Sequence, residues 1–218
     1  MANIPQNTAS RVNMEYTALV LFILATSITP GPNNVMILAS GANHGFKKSI
    51  PHLLGIDLGF PIMMIAVGLG AGQLFQQSPA IFSWLKIIGV IYLSYLAFKI
   101  ATAPVQNFES IKAQPMTFFQ ALLFQWVNPK AWIMCIGAVV TFTVADASYL
   151  YQVFIIALLF FVLGSPCTIS WLWFGSILRR LLLQEKYLRV FNLSMGLLLM
   201  TSLIPVISEL YSAYPLLR

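Results

Sequence analysis

Two charged side chains stand within apolar runs: Lys130, in Asn128-Pro129-Lys130, and Asp57, in Gly55-Ile56-Asp57-Leu58-Gly59. A third polar motif, Thr29-Pro30-Gly31-Pro32-Asn33-Asn34, interrupts the first apolar run, and Pro129 interrupts another about half the chain later. Proline has no N–H donor and its ring presses on the carbonyl four residues back, so a helix must open at each motif. In a bilayer, opened backbone is tolerated only where it is buried in protein or lines a wet cavity. Two such breaks in similar surroundings point to a polar site at the membrane midplane made by two related halves.

At the first break Pro30 and Pro32 displace the carbonyls of Thr26 and Ile28, and the helix restarting near Asn33 presents unsatisfied N–H groups at its positive end. A carboxylate suits that end. The freed carbonyls suit an ammonium group or another cation, so one break can hold both ends of a zwitterion. At the second break Pro129 frees the carbonyl of Gln125, while Asn128 and Lys130 add an amide and a cation. The plainer reading makes the prolines simple kinks and lets Lys130 snorkel to the interface; against it, ionisable residues in mid-span are costly and usually functional. Asp57 stands open between two roles: binding a cargo amine or carrying a coupling proton, or serving as counter-charge to Lys130. Trp126 and Trp132 flank Pro129 and are candidate cavity walls, with core packing as the alternative. Pro166, in Gly164-Ser165-Pro166, opens a further run and is a candidate lining or hinge.

The elements that must position these residues follow from composition. Of 218 residues, 59% are hydrophobic and 8% charged, with a mean hydropathy of +0.82. Soluble domains carry about 25% charged residues, so this is an integral membrane protein. A bilayer asks for about 20 apolar residues per helical span, and six spans are expected, at residues 14–42, 50–74, 81–101, 118–145, 149–178 and 188–210. The chain is thus an all-α single transmembrane domain over 1–218. The polar linker 102–117, with Pro104, Glu109, Lys112 and Pro115, divides it into halves of about 14–101 and 118–210. Three spans on either side insert in opposite senses, the layout of a 3+3 inverted repeat, with helices 1 and 4 broken. Gly55, Gly59, Gly68 and Gly72 on the second span predict close helix packing.

Charge sets the orientation. Lys47, Lys48, Lys99, Lys112, Arg179, Arg180, Lys186 and Arg189 fall on one side, and Arg11, Lys86 and Arg218 on the other. The positive-inside rule makes the first side cytoplasmic and leaves both termini periplasmic. The net charge of +6 is then explained by topology and anionic lipid. Dispersed over three short loops, it is no nucleic-acid footprint. Trp84, Tyr149, Tyr151, Tyr187, Tyr211 and Tyr214 lie near span ends, as interfacial anchors do. A cleaved leader is the alternative for the N-terminus, but its basic region would be a single Arg11 and the apolar pattern resumes at Val35. His44 and His52 sit at a loop and a span start. No His, Cys or carboxylate cluster has metal-ligand spacing, and nothing calls for a cofactor. Cys135 and Cys167 lie in apolar runs and are expected to stay reduced.

With Thr29-Pro30-Gly31-Pro32-Asn33 followed by His44-Gly45, a glycine-rich second span and Asn128-Pro129-Lys130 in the fourth, the chain resembles the lysine-exporter (LysE) superfamily. Within it the similarity is to the homoserine/threonine-exporter (RhtB) type, including the cysteine/O-acetylserine exporter branch, and it covers nearly the whole chain. The resemblance implies a six-span secondary carrier of the bacterial inner membrane, not an enzyme, that expels amino acids or amino-acid-like metabolites on the proton motive force. It carries functional weight onto Pro30, Gly31, Pro32, Asn33, Asn128, Pro129 and Lys130. Asp57 lies outside the recognised pattern and rests on the physical argument alone.

Two other classes remain. A membrane thiol-disulfide electron carrier needs a reactive cysteine in each half near the breaks; Cys167 follows Pro166, but Cys135 is in the same half and the first half has none. A passive channel or structural membrane subunit would differ in having no dependence of flux on a proton gradient. The implied partners are a small amino-acid cargo, a coupling proton, the lipid bilayer and, as an option, a second copy of the chain.

Overall fold

The computed structural model describes residues 7–71, 79–103, 114–143, 149–181 and 184–213, and within them every regular element is a helix. Helix α1 is Asn7–Ile28 and α2 is Pro32–His44; α3, Phe46–Ala66, continues as a wider π-turn at Val67–Ala71. Helix α4 is Pro79–Ala101, α5 is Phe118–Phe124 with a 3-10 turn at Gln125–Val127, and α6 is Pro129–Phe142. Helix α7, Tyr149–Leu159, passes through a π-turn at Phe160–Gly164 into α8, Ser165–Leu181; α9 is Glu185–Thr201 and α10 is Ile204–Ala213. Gly72, Pro104, Glu109, Lys112, Tyr214 and Arg218, named above, lie outside the described residues, as do the ends of the second and fourth expected spans.

Three stretches, Phe46–Gly70, Tyr149–Arg179 and Glu185–Ser212, are long and apolar enough to cross a membrane. Tyr16–Ile28 with Pro32–His44, bent by 49° at the break, makes a fourth. The other two expected ranges hold α4, of 23 residues, and the shorter apolar pair on either side of the second break.

Local chemistry sets several boundaries. Helix α5 starts on a capping box, in which Gln120 N donates to Thr117 Oγ1 at 3.3 Å and Thr117 N to Gln120 Oε1 at 3.0 Å. The tight turn from α2 to α3 needs Gly45 at φ 83°, and an added Cβ would also meet the Arg179 guanidinium. Pro166 leaves its helix continuous, because the π-turn just before it absorbs the missing hydrogen bond.

The bundle is apolar outside and holds a set of polar side chains within a mainly apolar interior. Leu54, Leu58 and Ile62 recur every fourth residue on the exposed face of α3, while Asn34, Ser49, His52, Asp57, Gln125, Asn128, Thr168 and Asn192 are buried. That arrangement suits lipid, which rewards packing and internal hydrogen bonds rather than apolar burial. Gly55 and Gly59 let α3 lie against α5, where an added Cβ would meet the Phe118 carbonyl and Leu122 Cα. One core joins α1, α3, α6 and α7 around Ile23, Met63, Met64, Cys135 and Ile156; another joins α2, α4, α5 and α9 around Val35, Leu93, Phe124 and Leu199.

The basic residues gather at one end. Arg179 Nη1 donates to His44 O at 3.1 Å, which joins the end of α8 to the α2–α3 turn carrying Lys47 and Lys48. Asn43 Nδ2 donates to Asn192 Oδ1 at 3.0 Å, bringing the first half of α9, with Lys186 and Arg189, to the same end. At the opposite end Lys86 pairs with Glu209 at 2.5 Å.

Candidate functional site

The first break opens the backbone between Ile28 and Pro32, with Gly31 fully extended at φ −176° and ψ 179°. Much of the freed backbone is claimed by the chain itself. Asn34 Nδ2 donates to Ser27 O at 2.7 Å and Thr29 O at 2.9 Å, and Trp171 Nε1 to Ile28 O at 3.3 Å. The cation on the carbonyls is Lys130: its Nζ donates to Thr29 O at 2.7 Å and reaches Pro30 O at 3.5 Å. Gly31 makes room for it, since a Cβ there would lie 2.6 Å from Lys130 Cδ.

The two helix starts differ in what they leave open. Pro32 and Pro129 each occupy a first helical position, where their missing N–H costs nothing. In α6 the Asn128 side chain caps Lys130 N at 3.2 Å, and Ala131 N bonds Asn128 O at 3.0 Å. In α2 no side chain caps the start, and the first intrahelical bond is Val35 N to Gly31 O at 2.9 Å. The N–H groups of Asn33 and Asn34 are thus the leading donors of α2, at its positive end. The breaks meet through a reciprocal amide pair, Asn33 Nδ2 to Gln125 Oε1 at 2.8 Å and Gln125 Nε2 to Asn33 Oδ1 at 3.2 Å.

Around this junction lies a cavity of about 60 Å³ whose walls include Gly31, Asn33 and Asn34 of the first break, Asn128 and Lys130 of the second, and Asp57 of α3. Asp57 is 8% exposed, and Thr168 and Ser165 of α8 line the same cavity, the Thr168 hydroxyl donating to Gly164 O at 3.3 Å. Ser165 Oγ is buried with no partner at hydrogen-bond distance. Asp57 and Lys130 form no ion pair; they stand on one cavity, each with its own polar neighbours. The arrangement offers positive potential at the start of α2 and a carboxylate with two hydroxyls on α3 and α8.

Several expected residues lie elsewhere. Trp126 and Trp132 are off the cavity wall: Trp132 is 2% exposed in the core, its Nε1 donates to Trp126 O at 2.8 Å, and the rings meet edge to face at 5.9 Å. Two positions along a helix turn a side chain by about 200°, so with Lys130 on the cavity Trp132 faces away. Pro166 is exposed, and its neighbours Gly164, Ser165 and Thr168 line the cavity instead. Thr29 and Pro30 contribute carbonyls rather than side chains, and Pro32 and Pro129 fix the helix starts. Sequence reasoning missed the side chains of Gln125, Ser165 and Thr168. The first is an amide in an apolar run one turn before Pro129, and the last two share a helix face at a spacing of three.

Cys135 and Cys167 are free, buried thiols, and neither lines the cavity. Among the described residues no three His, Cys, Asp or Glu side chains converge as metal ligands.

Residues 24–202 match the family model described as LysE type translocator. The chain is 33% identical over 186 residues to a cysteine/O-acetylserine efflux protein of Salmonella paratyphi A, covering 85% of this chain and 94% of that protein. To the cysteine/O-acetylserine efflux protein of Escherichia coli K12 it is 33% identical over 183 residues, 84% and 92% of the two chains. No solved structure matches the chain.

Proposed function

The chain belongs to the LysE family of translocators, which transport rather than transform their solutes, and on that premise we propose a secondary active exporter of small amino acids or their close derivatives, coupled to protons, in the bacterial inner membrane. The cargo is of the cysteine and O-acetylserine kind that names its relatives. The observation that carries the reading is one cavity with opposite polarity on its two sides. The cargo carboxylate binds the uncapped start of α2, at the N–H groups of Asn33 and Asn34, with Lys130 Nζ adding charge. The cargo ammonium binds Asp57, helped by Thr168 and Ser165. A solute with both groups gains on both sides, and one with a single charge leaves the other side unpaired.

The room of about 60 Å³ accommodates a few waters, so loading requires the walls to part. The Asn33–Gln125 pair links the two breaks, and its release widens the cavity while Lys130 stays placed on the Thr29 carbonyl. The two halves, about 14–101 and 118–210 of a single 1–218 domain, form the six-span inverted repeat; the matching breaks, each restarting on a proline, support this. The gathering of Lys47, Lys48, Arg179, Lys186 and Arg189 at one end supports periplasmic termini. Asp57 carries the coupling proton, exchanging it for the cargo ammonium. Purified protein in liposomes tests the reading: labelled O-acetylserine should accumulate against its gradient only when a proton gradient is imposed. Equilibration without accumulation would mark a passive channel.

A further inference from the structure

The basic end of the bundle holds a second and larger cavity, of about 170 Å³, between α2, α3, α4 and the residues leading into α5. Its polar walls include Ser40, Asn43, His52, Lys99 and Gln114. His52 is 2% exposed, and its Nδ1 has no hydrogen-bond partner. An unpaired ring nitrogen on a buried cavity wall is a group held ready for a ligand rather than a satisfied part of the core. The other polar groups are partly engaged: Ser40 Oγ lies 2.7 Å from Ser49 Oγ, and Asn43 Nδ2 donates to Ala39 O and Asn192 Oδ1. Lys99 is exposed, with its Nζ 5.6 Å from the centroid of the Tyr95 ring. No carboxylate side chain is among the lining residues, so the space favours an anionic oxygen group.

The cavity also lies on a path. Asn33, Met36, Ser40 and Asn43 are spaced by three, four and three residues, which puts them on one face of α2. Asn33 lines the midplane cavity and the other three line this one, with about 10 Å of helix between Asn33 and Ser40. Between the two spaces stand Met36 and the Asn33–Gln125 amide pair.

We propose that this second cavity is the receiving site for the carboxylate of a small zwitterionic cargo arriving from the cytoplasm, and that the Asn33–Gln125 pair is the partition between it and the midplane cavity. The proposal rests on the exporter reading and adds a first binding station, with His52 and Lys99 as its carboxylate donors.

Ser40→Cys, measured over the parent's baseline, makes the site readable by thiol labelling in everted membrane vesicles. A negatively charged methanethiosulfonate should react about fivefold or more faster than a positively charged one of similar size, the factor that one nearby charge supplies. Lys99→Gln should remove that preference, and O-acetylserine should slow the labelling saturably. The protection should persist in a Ser40→Cys, Lys130→Ala double variant, although its export is impaired. Equal labelling by the two reagents, no protection by O-acetylserine, or protection by phosphatidylglycerol in its place would overturn the proposal. If Ser40→Cys fails to accumulate, Asn43→Cys gives the same readout. Absent protection in a parent that still exports against a gradient defeats the receiving site alone; a parent that exports no amino acid defeats the exporter reading instead.

Discussion

A single methyl group at Gly31 tests the placement of the Lys130 ammonium without altering its charge. The backbone there is extended, a conformation alanine adopts freely, so the cost of Gly31→Ala is one of space. The new Cβ would fall 2.6 Å from Lys130 Cδ and 3.0 Å from its Nζ. Both atoms belong to the far end of a flexible side chain, so the helices stay in place and the ammonium moves off the Thr29 carbonyl that it holds at 2.7 Å. A hydrogen bond from a charged donor contributes about 1.5–3 kcal/mol, and 1.4 kcal/mol is about tenfold in affinity. Gly31→Ala should therefore raise the cargo concentration for half-maximal export by about 10- to 100-fold at an unchanged protein level. The assay is the initial rate of O-acetylserine efflux from liposomes under a fixed proton gradient. Lys130→Ala should weaken export at least as much, and the double variant should be no worse than Lys130→Ala, because the methyl then has nothing to displace. Additive losses, or a Gly31→Ala protein indistinguishable from its parent, would refute the argument that the two residues act as one unit.

Three further outcomes follow from the same geometry. Asp57→Asn keeps the shape of the carboxyl but neither its charge nor its titration; it should abolish accumulation against a gradient while downhill exchange continues at a weakened cargo affinity, and uphill export at the parental rate would make Asp57 structural. Asn33→Ala leaves the buried Gln125 amide short of its partner, a loss of about 1–3 kcal/mol, so the protein should insert, melt at a lower temperature in detergent and export poorly; an unchanged melt together with normal export would show the pair to be idle. Reporter fusions at Arg218 and in the 102–117 linker should read periplasm and cytoplasm respectively, and an active cytoplasmic reporter at Arg218 would reverse the orientation.

The helix breaks were legible because their cause is local. Proline removes a donor wherever it stands, so Thr29-Pro30-Gly31-Pro32 and Asn128-Pro129 announce the open backbone without any knowledge of neighbours. The freed carbonyls were legible too, but their occupant was not. An ammonium was expected there, and it belongs to Lys130, 101 residues away from Thr29. For the tryptophans the sequence left two readings, cavity wall or core packing, and the turn of the helix that puts Lys130 on the midplane cavity sends Trp132 into the core. That angle was already fixed by the sequence once Lys130 was placed.

By itself the sequence determined that the chain is an apolar, all-helical membrane protein of the LysE family, opened at two proline motifs, because hydropathy, proline geometry and motif spacing act within a few residues. Tertiary structure decided which polar groups meet. Asn33 with Gln125 and Asn43 with Asn192 are bonded across 92 and 149 residues, and Asp57 shares a cavity with Ser165 and Thr168, 108 and 111 residues further on. Such pairs depend on how helices rotate and pack against one another, and in a medium where apolar faces gain little from meeting each other, that rotation is set by small residues and buried hydrogen bonds whose partners lie far apart in the chain.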